Sequence, residues 1–208
     1  MQQNKKRGNR IWLWGYALFF GLLFINPSII YALTPMETMK NNLDRVLQVL
    51  RDPELKGEAG KRVKIEKISR LSEKIFDFSE MSKRSLGLYW KKLNDQQKAR
   101  FVKLYQSLLK KTYAEKIVSS KNEEIIYGRV LENTSAYVEV QTTVSTGKQD
   151  ISINYRLMRK NTDWKVYDVV VEGVSLVLNY RQQFREILGK NSVEKLFDIL
   201  EKKVEQDT

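Results

Sequence analysis

Apolar residues recur along this chain with two different periods, and the change from one to the other divides it. From Met36 to about Arg51, the residues Met39, Leu43, Val46, Leu47 and Leu50 fall three and four positions apart, which predicts an amphipathic helix. Thr34 and Pro35 ahead of it supply a cap and a first-turn proline. A second helix is expected from about Glu58 to Ile75, with Ile65, Ile68, Leu71 and Ile75 on one face and lysines on the other. Pro53, Gly57 and Gly60 mark the break between the two. Phe76 to Trp90 reads as a short helix ending near Gly87, with Ser79 as its N-cap. Asn94, supported by Gln97 three residues on, opens the most strongly patterned helix, carrying Phe101, Leu104, Tyr105, Leu108, Leu109, Tyr113 and Ile117.

After Ser120 the period becomes two. Glu124 to Val130, Ala136 to Val144, Ile151 to Met158 and Trp164 to Val171 read as four strands rich in Val, Ile, Tyr and Thr. Ala136, Val138, Val140 and Val144, then Ile151, Ile153, Tyr155 and Leu157, place apolar side chains on one face. Thr146 to Gln149, with Gly147, suits a hairpin turn. Gly173 is expected to end the sheet, and helical spacing returns from about Ser175 to Leu188 and from about Ser192 to Val204. Helices on both sides of an antiparallel meander imply an α+β fold in which they cover the apolar face of a four-stranded sheet.

The amino terminus follows neither pattern. Lys5 to Arg10 form a basic stretch, and Ile11 to Ile25 an uncharged apolar run of signal-peptide length, broken by Pro27 and followed by Ala32 at a possible cleavage point. Read as a span from Ile11 to Leu33, the same segment would instead tether the protein to a membrane. Asn26, Pro27 and Ser28 interrupt that span, so the expectation is a signal peptide over residues 1–32 and a single exported domain over 33–208. In both readings the basic end stays in the cytoplasm and the bulk is exported.

Composition narrows the chemistry. The 208 residues are 42% hydrophobic and 30% charged, as expected of one globular domain. With no cysteine and no histidine, thiol and imidazole nucleophiles and every Cys/His metal cage are excluded. Without the first 32 residues, 33 basic face 25 acidic residues, a charge of +8 that favours anionic partners. The lysine-rich stretches Lys61 to Lys67 and Lys110 to Lys116 sit at helical intervals broken by Glu66 and Glu115. They read as solvated helix faces rather than nucleic-acid patches, able to dock on acidic surfaces or anionic headgroups. No phosphate-binding loop is present. Ser175 lacks the second glycine of a nucleophile elbow and suits a helix cap. Asp168 and Glu172 have no nucleophile or metal ligand nearby in sequence. Asp168, inside an apolar strand, is instead expected to make a buried charge-assisted bond with Arg181.

Two stretches carry a family resemblance. Phe76-Asp77-Phe78-Ser79-Glu80-Met81-Ser82-Lys83-Arg84-Ser85-Leu86-Gly87 with Trp90, followed by Gln97, Phe101, Leu104, Leu108, Leu109 and Thr112-Tyr113, resembles the core of the MlaC family. Trp164-Lys165-Val166-Tyr167-Asp168-Val169, Glu172-Gly173-Val174-Ser175-Leu176 and Asn179-Tyr180-Arg181-Gln182-Gln183-Phe184 are similar to its second signature, and the likeness runs over about residues 36–204. The resemblance implies a twisted sheet under helices around an apolar cavity that holds phospholipid tails. It implies a non-catalytic periplasmic carrier, with no cofactor beyond that cargo, serving an outer-membrane lipoprotein complex and an inner-membrane ABC transporter complex.

Transport through water makes such shielding necessary: exposing about thirty methylenes at roughly 0.8 kcal/mol each costs on the order of 20 kcal/mol. The pool of candidate tail-contact residues is Phe101, Leu104, Leu108, Tyr113, Val138, Val140, Ile153, Tyr155, Leu157, Val166, Val169, Val171, Val174, Leu176 and Tyr180. Trp90, Trp164, Asp168, Gly173 and Arg181 are expected to be structural. At any one pool position an ordinary core contact competes with a tail contact, because most buried apolar residues simply fill the interior. An enzyme on a similar scaffold and a protein-interaction module without lipid remain the competing readings.

Overall fold

The computed structural model describes residues 33–119, 123–147 and 149–205; the proposed signal segment lies outside them. Helix α1 (Pro35–Leu50) starts where expected, with the Thr34 hydroxyl accepting from the Glu37 amide and the Glu37 carboxylate accepting from the Thr34 amide. Helix α2 (Gly57–Ile75) follows a tight loop, and Gly60 in its first turn passes so close to that loop that a β-carbon there would lie 2.3 Å from the Leu55 carbonyl carbon. Only glycine fits that approach.

Helix α3 (Phe78–Leu86) is capped by Asp77, not by Ser79 as the sequence suggested: the Asp77 carboxylate accepts from the Glu80 amide at 2.9 Å. The reason is tertiary. Phe76 bridges to Val166, and the Asp77 amide donates to the Val166 carbonyl at 2.9 Å, so the chain is held extended along a strand until Asp77 and turns helical directly after it. A 3-10 turn over Gly87–Lys92 leads to α4 (Asp95–Ser119), whose start carries the expected reciprocal bonds between Asn94 and Gln97.

The sheet is an antiparallel meander of β1 (Glu124–Thr134), β2 (Tyr137–Ser145), β3 (Asp150–Lys160), β4 (Asp163–Val171) and β5 (Val174–Ser175), in that spatial order. It therefore has five strands rather than four. Gly173 does not end it: Glu172 and Gly173 both take positive φ, the combination a two-residue primed turn requires, and fold Val174 back opposite Val171. Helices α5 (Leu176–Leu188) and α6 (Val193–Glu205) complete the chain, with Ser175 capping α5 through the Leu178 amide at 3.0 Å.

Two cores form instead of one. Val138 pairs with Leu157 and Leu157 with Val166, placing these residues on one face of the sheet, where they pack with Val140 and Trp164 against Met39, Leu43 and Ile75 of α1 and α2. A second core belongs to α3–α6, built on Phe101, Tyr105, Tyr180, Phe184, Leu196 and Phe197. Rings within it meet edge to face at Tyr105 and Tyr180, with centroids 5.1 Å apart, and at Phe101 and Phe184, 5.4 Å apart. The expectation that the C-terminal helices cover the apolar face of the sheet is thus corrected: α1 and α2 cover it, and α5 and α6 close the helical core. Phe76 touches both cores.

Candidate functional site

The region under α1 and α2 combines an apolar sheet face with incomplete burial. Val138, Val140, Leu157, Trp164 and Val166 are buried, whereas Ile125, Tyr127, Val130, Tyr155 and Val169 from the strands and Met36, Val46 and Leu71 from the helices keep accessible surface. Tyr155 is the clearest case. Burial pushes its phenol well above the ordinary tyrosine range, with Tyr127 adding to the shift, yet the residue is only partly removed from solvent.

Beside it, the Tyr127 hydroxyl is buried with no hydrogen-bond partner among the described residues, and burial raises it too. Lys40 of α1 stands 5.3 Å over the Tyr127 ring. An apolar surface with a few polar atoms offers apolar contact and hydrogen-bond orientation.

The structure divides the fifteen-residue candidate pool. Val138, Val140, Tyr155, Leu157, Val166 and Val169 come together on the sheet face. Phe101, Leu104, Leu108, Tyr113, Leu176 and Tyr180 are gathered in the helical core. Burial raises the Tyr180 phenol to about 12, as befits that setting. Ile153 is partly buried on β3, and Val171 and Val174 stand exposed at the turn between β4 and β5. Sequence reading missed the contribution of α1, where Met36 and Val46 show helical spacing but nothing indicating which layer they face.

Across the sheet the chemistry is different. A bulge in β4 inserts Tyr167 between Val166, opposite Leu157, and Asp168, opposite Arg156. Asp168, only 2% exposed, accepts from the Ser175 hydroxyl at 2.6 Å, the Val177 amide at 3.0 Å and Arg156 Nη1 at 3.1 Å. Arg156 donates in turn to Glu139 at 3.0 Å, and these carboxylates hold its guanidinium above its ordinary range against the effect of burial. The buried charge-assisted bond is therefore present, but its partner is Arg156; Arg181 donates instead to the Arg84 carbonyl at 2.7 Å. Sequence proximity misled here, because strand register sets Arg156 opposite Asp168 while Arg181 reaches across to α3. Trp164 is in the sheet core, and Trp90 packs partly buried on the helical one.

Glu172 accepts from the Ser152 amide at 2.5 Å. Among the described residues no group of three or more His, Cys, Asp or Glu is placed to hold a metal ion. A surface pocket of about 610 Å³ opens beside Phe76 and Phe78, but its Asp77 carboxylate is engaged by Lys160 at 2.6 Å. Burial opposes the Asp77 charge; Lys160 and the Glu80 amide outweigh it and hold the carboxyl below its usual range. The lysine-rich stretches behave as helix faces: Lys61 meets Glu115 at 3.5 Å and Lys110 meets Glu73 at 2.5 Å, joining α2 to α4.

Comparison with known proteins fits this geometry. Residues 40–202 match the family described as MlaC protein. The intermembrane phospholipid transport system binding protein MlaC of Haemophilus influenzae is 25% identical over 126 residues, an alignment covering 58% of this chain; the chain spans 59% of that relative's length. The solved structure of a phospholipid-binding protein from Ralstonia solanacearum, in complex with a phospholipid, superposes with a TM-score of 0.72 at 26% identity. That superposition covers 81% of this chain and 96% of the other.

Proposed function

This chain belongs to the MlaC family, and from that premise we propose that it is a periplasmic phospholipid carrier. It shields acyl tails between the sheet and α1–α2 while lipid passes between an outer-membrane lipoprotein complex and an inner-membrane ABC transporter complex. The observation that carries this reading is the likeness, over 81% of this chain and 96% of the other, to a protein whose structure holds a phospholipid. It is supported by the partly buried apolar surface around Tyr155 and Val169, on the same sheet face as Val138, Val140, Leu157 and Val166. These six residues are the proposed tail contacts. The helical-core members of the pool serve as framework, since their apolar surface is satisfied by one another.

The protein has no chemical step to perform in this role; any energy for direction comes from its partners. Residues 1–32 act as the export signal and 33–208 as the carrier domain. No helix among the described residues is long and apolar enough to cross a membrane. The direct test is to purify the full chain without detergent, record its mass under native conditions and extract it with organic solvent. The expected result is bound phospholipid; protein recovered from cells bare of any amphiphile would overturn the proposal.

A further inference from the structure

The groove between α1 and α2 shares Leu71 with the surface facing the sheet, but the rest of its lining is polar or charged apart from Val49. It is a concavity of about 440 Å³ whose lining includes Arg45, Lys67, Arg70 and Lys74, with Asp52 as its one carboxylate and partly buried Leu71 as apolar surface. Elsewhere charges on α2 are matched across to α4, Lys61 by Glu115 and Glu73 by Lys110. Here the balance fails. Lys67 reaches Asp52 only at 3.6 Å and Arg70 pairs with Glu66, while the Arg45 guanidinium and the Lys74 ammonium make no ion pair with any described residue.

Like charges gathered in one recess repel unless something anionic enters it. Lys67, Arg70 and Lys74 recur at i, i+3 and i+7, so they run along one face of α2 for about 10 Å at the helical rise. A single phosphate meets only part of such a row, whereas successive carboxylates of a protein segment meet all of it. Val63 stands exposed one turn earlier on the same face and offers an apolar contact. A bilayer is a poorer fit. Its flat headgroup surface does not enter a recess, and Val171, Val174 and Leu178, exposed apolar residues suited to an acyl boundary, belong to β4, β5 and α5 rather than to the groove.

We propose that the α1–α2 groove docks an acidic segment of a partner protein, with Arg45 and Lys74 as the cations that the partner neutralises. The test uses the full chain, isotopically labelled, titrated with a short synthetic peptide of alternating glutamate and leucine. Amide shifts should concentrate on residues 45–52 and 67–74 and weaken as salt is added. The Arg45→Glu/Lys74→Glu variant should lose roughly tenfold or more in affinity, with unchanged melting, while Lys190→Glu, a charge reversal elsewhere, should change affinity little. If charge reversal disturbs folding, Arg45→Gln/Lys74→Gln provides the same comparison.

Unchanged affinity in the groove variants, an equal loss in Lys190→Glu, or shifts spread over the whole surface would overturn the proposal. So would inorganic phosphate or phosphatidylglycerol vesicles perturbing the same residues as strongly as the peptide. Lipid content read on the same samples keeps the two readings apart: protein that binds the peptide yet carries no lipid defeats the cargo reading alone.

Discussion

Replacing Asp168 by alanine removes the acceptor that joins β3, β4 and the start of α5. Three donors converge on its carboxylate, from Ser175, Val177 and Arg156, in a site with 2% exposure. In the variant the buried Val177 amide loses its partner, which costs about 1–3 kcal/mol. Breaking a buried ion pair costs about 3–5 kcal/mol when a charge is stranded. Arg156, however, is a third exposed and keeps Glu139, so the lower part of that range applies and the two losses overlap. A total of about 3 kcal/mol is expected, which for a domain of this size lowers the melting temperature by roughly 6–12 °C. Asp168→Asn keeps an oxygen for the Val177 amide and should cost about half as much. Thermal unfolding by circular dichroism, with urea titration alongside, measures both. A fall of under 2 °C for the alanine variant would refute the reasoning, as would equal effects of the two substitutions.

Three further outcomes follow from particular contacts. Asp77 has its carboxyl held below the usual range, so it contributes stability above its unfolded pKa of about 3.9 that disappears as pH falls through the depressed folded value. Urea midpoints between neutral and strongly acidic pH should therefore fall less steeply in Asp77→Asn, and parallel curves would contradict this. Gly60→Ala forces a β-carbon against the Leu55 carbonyl group and should destabilise by about 1–3 kcal/mol, visible as a lower urea midpoint; a neutral result would mean that the loop shifts freely. Val169→Phe adds a ring to the partly buried sheet face and should reduce extractable phospholipid per protein while moving the melting temperature by only a few degrees. Full lipid content in that variant would place the tails elsewhere.

Local rules accounted for most elements. Thr34-Pro35 opened α1, Asn94 with Gln97 opened α4 and Ser175 opened α5, because a cap acts within one turn of the residue that forms it. The alternation Val138, Val140 and Tyr155, Leu157 likewise identified the apolar sheet face, since side-chain direction in a strand follows from position alone. The motifs from Phe76 to Tyr113 and from Trp164 to Phe184 pointed to the family that residues 40–202 match.

What the chain's own pattern left open were the questions of who meets whom. Periodicity says that α4 and α5 each have an apolar face; it does not say that Phe101 turns toward Phe184 while Val140 turns toward the α1–α2 layer. The cap at Asp77 exists because the distant Val166 carbonyl holds the preceding backbone extended, and Asp168 found Arg156 through strand register rather than nearness in sequence. Such choices depend on contacts between residues far apart along the chain, and their energies arise only once the layers have assembled. A short-range pattern therefore determines the surfaces this protein has to bury, and tertiary packing alone decides which of them close on each other.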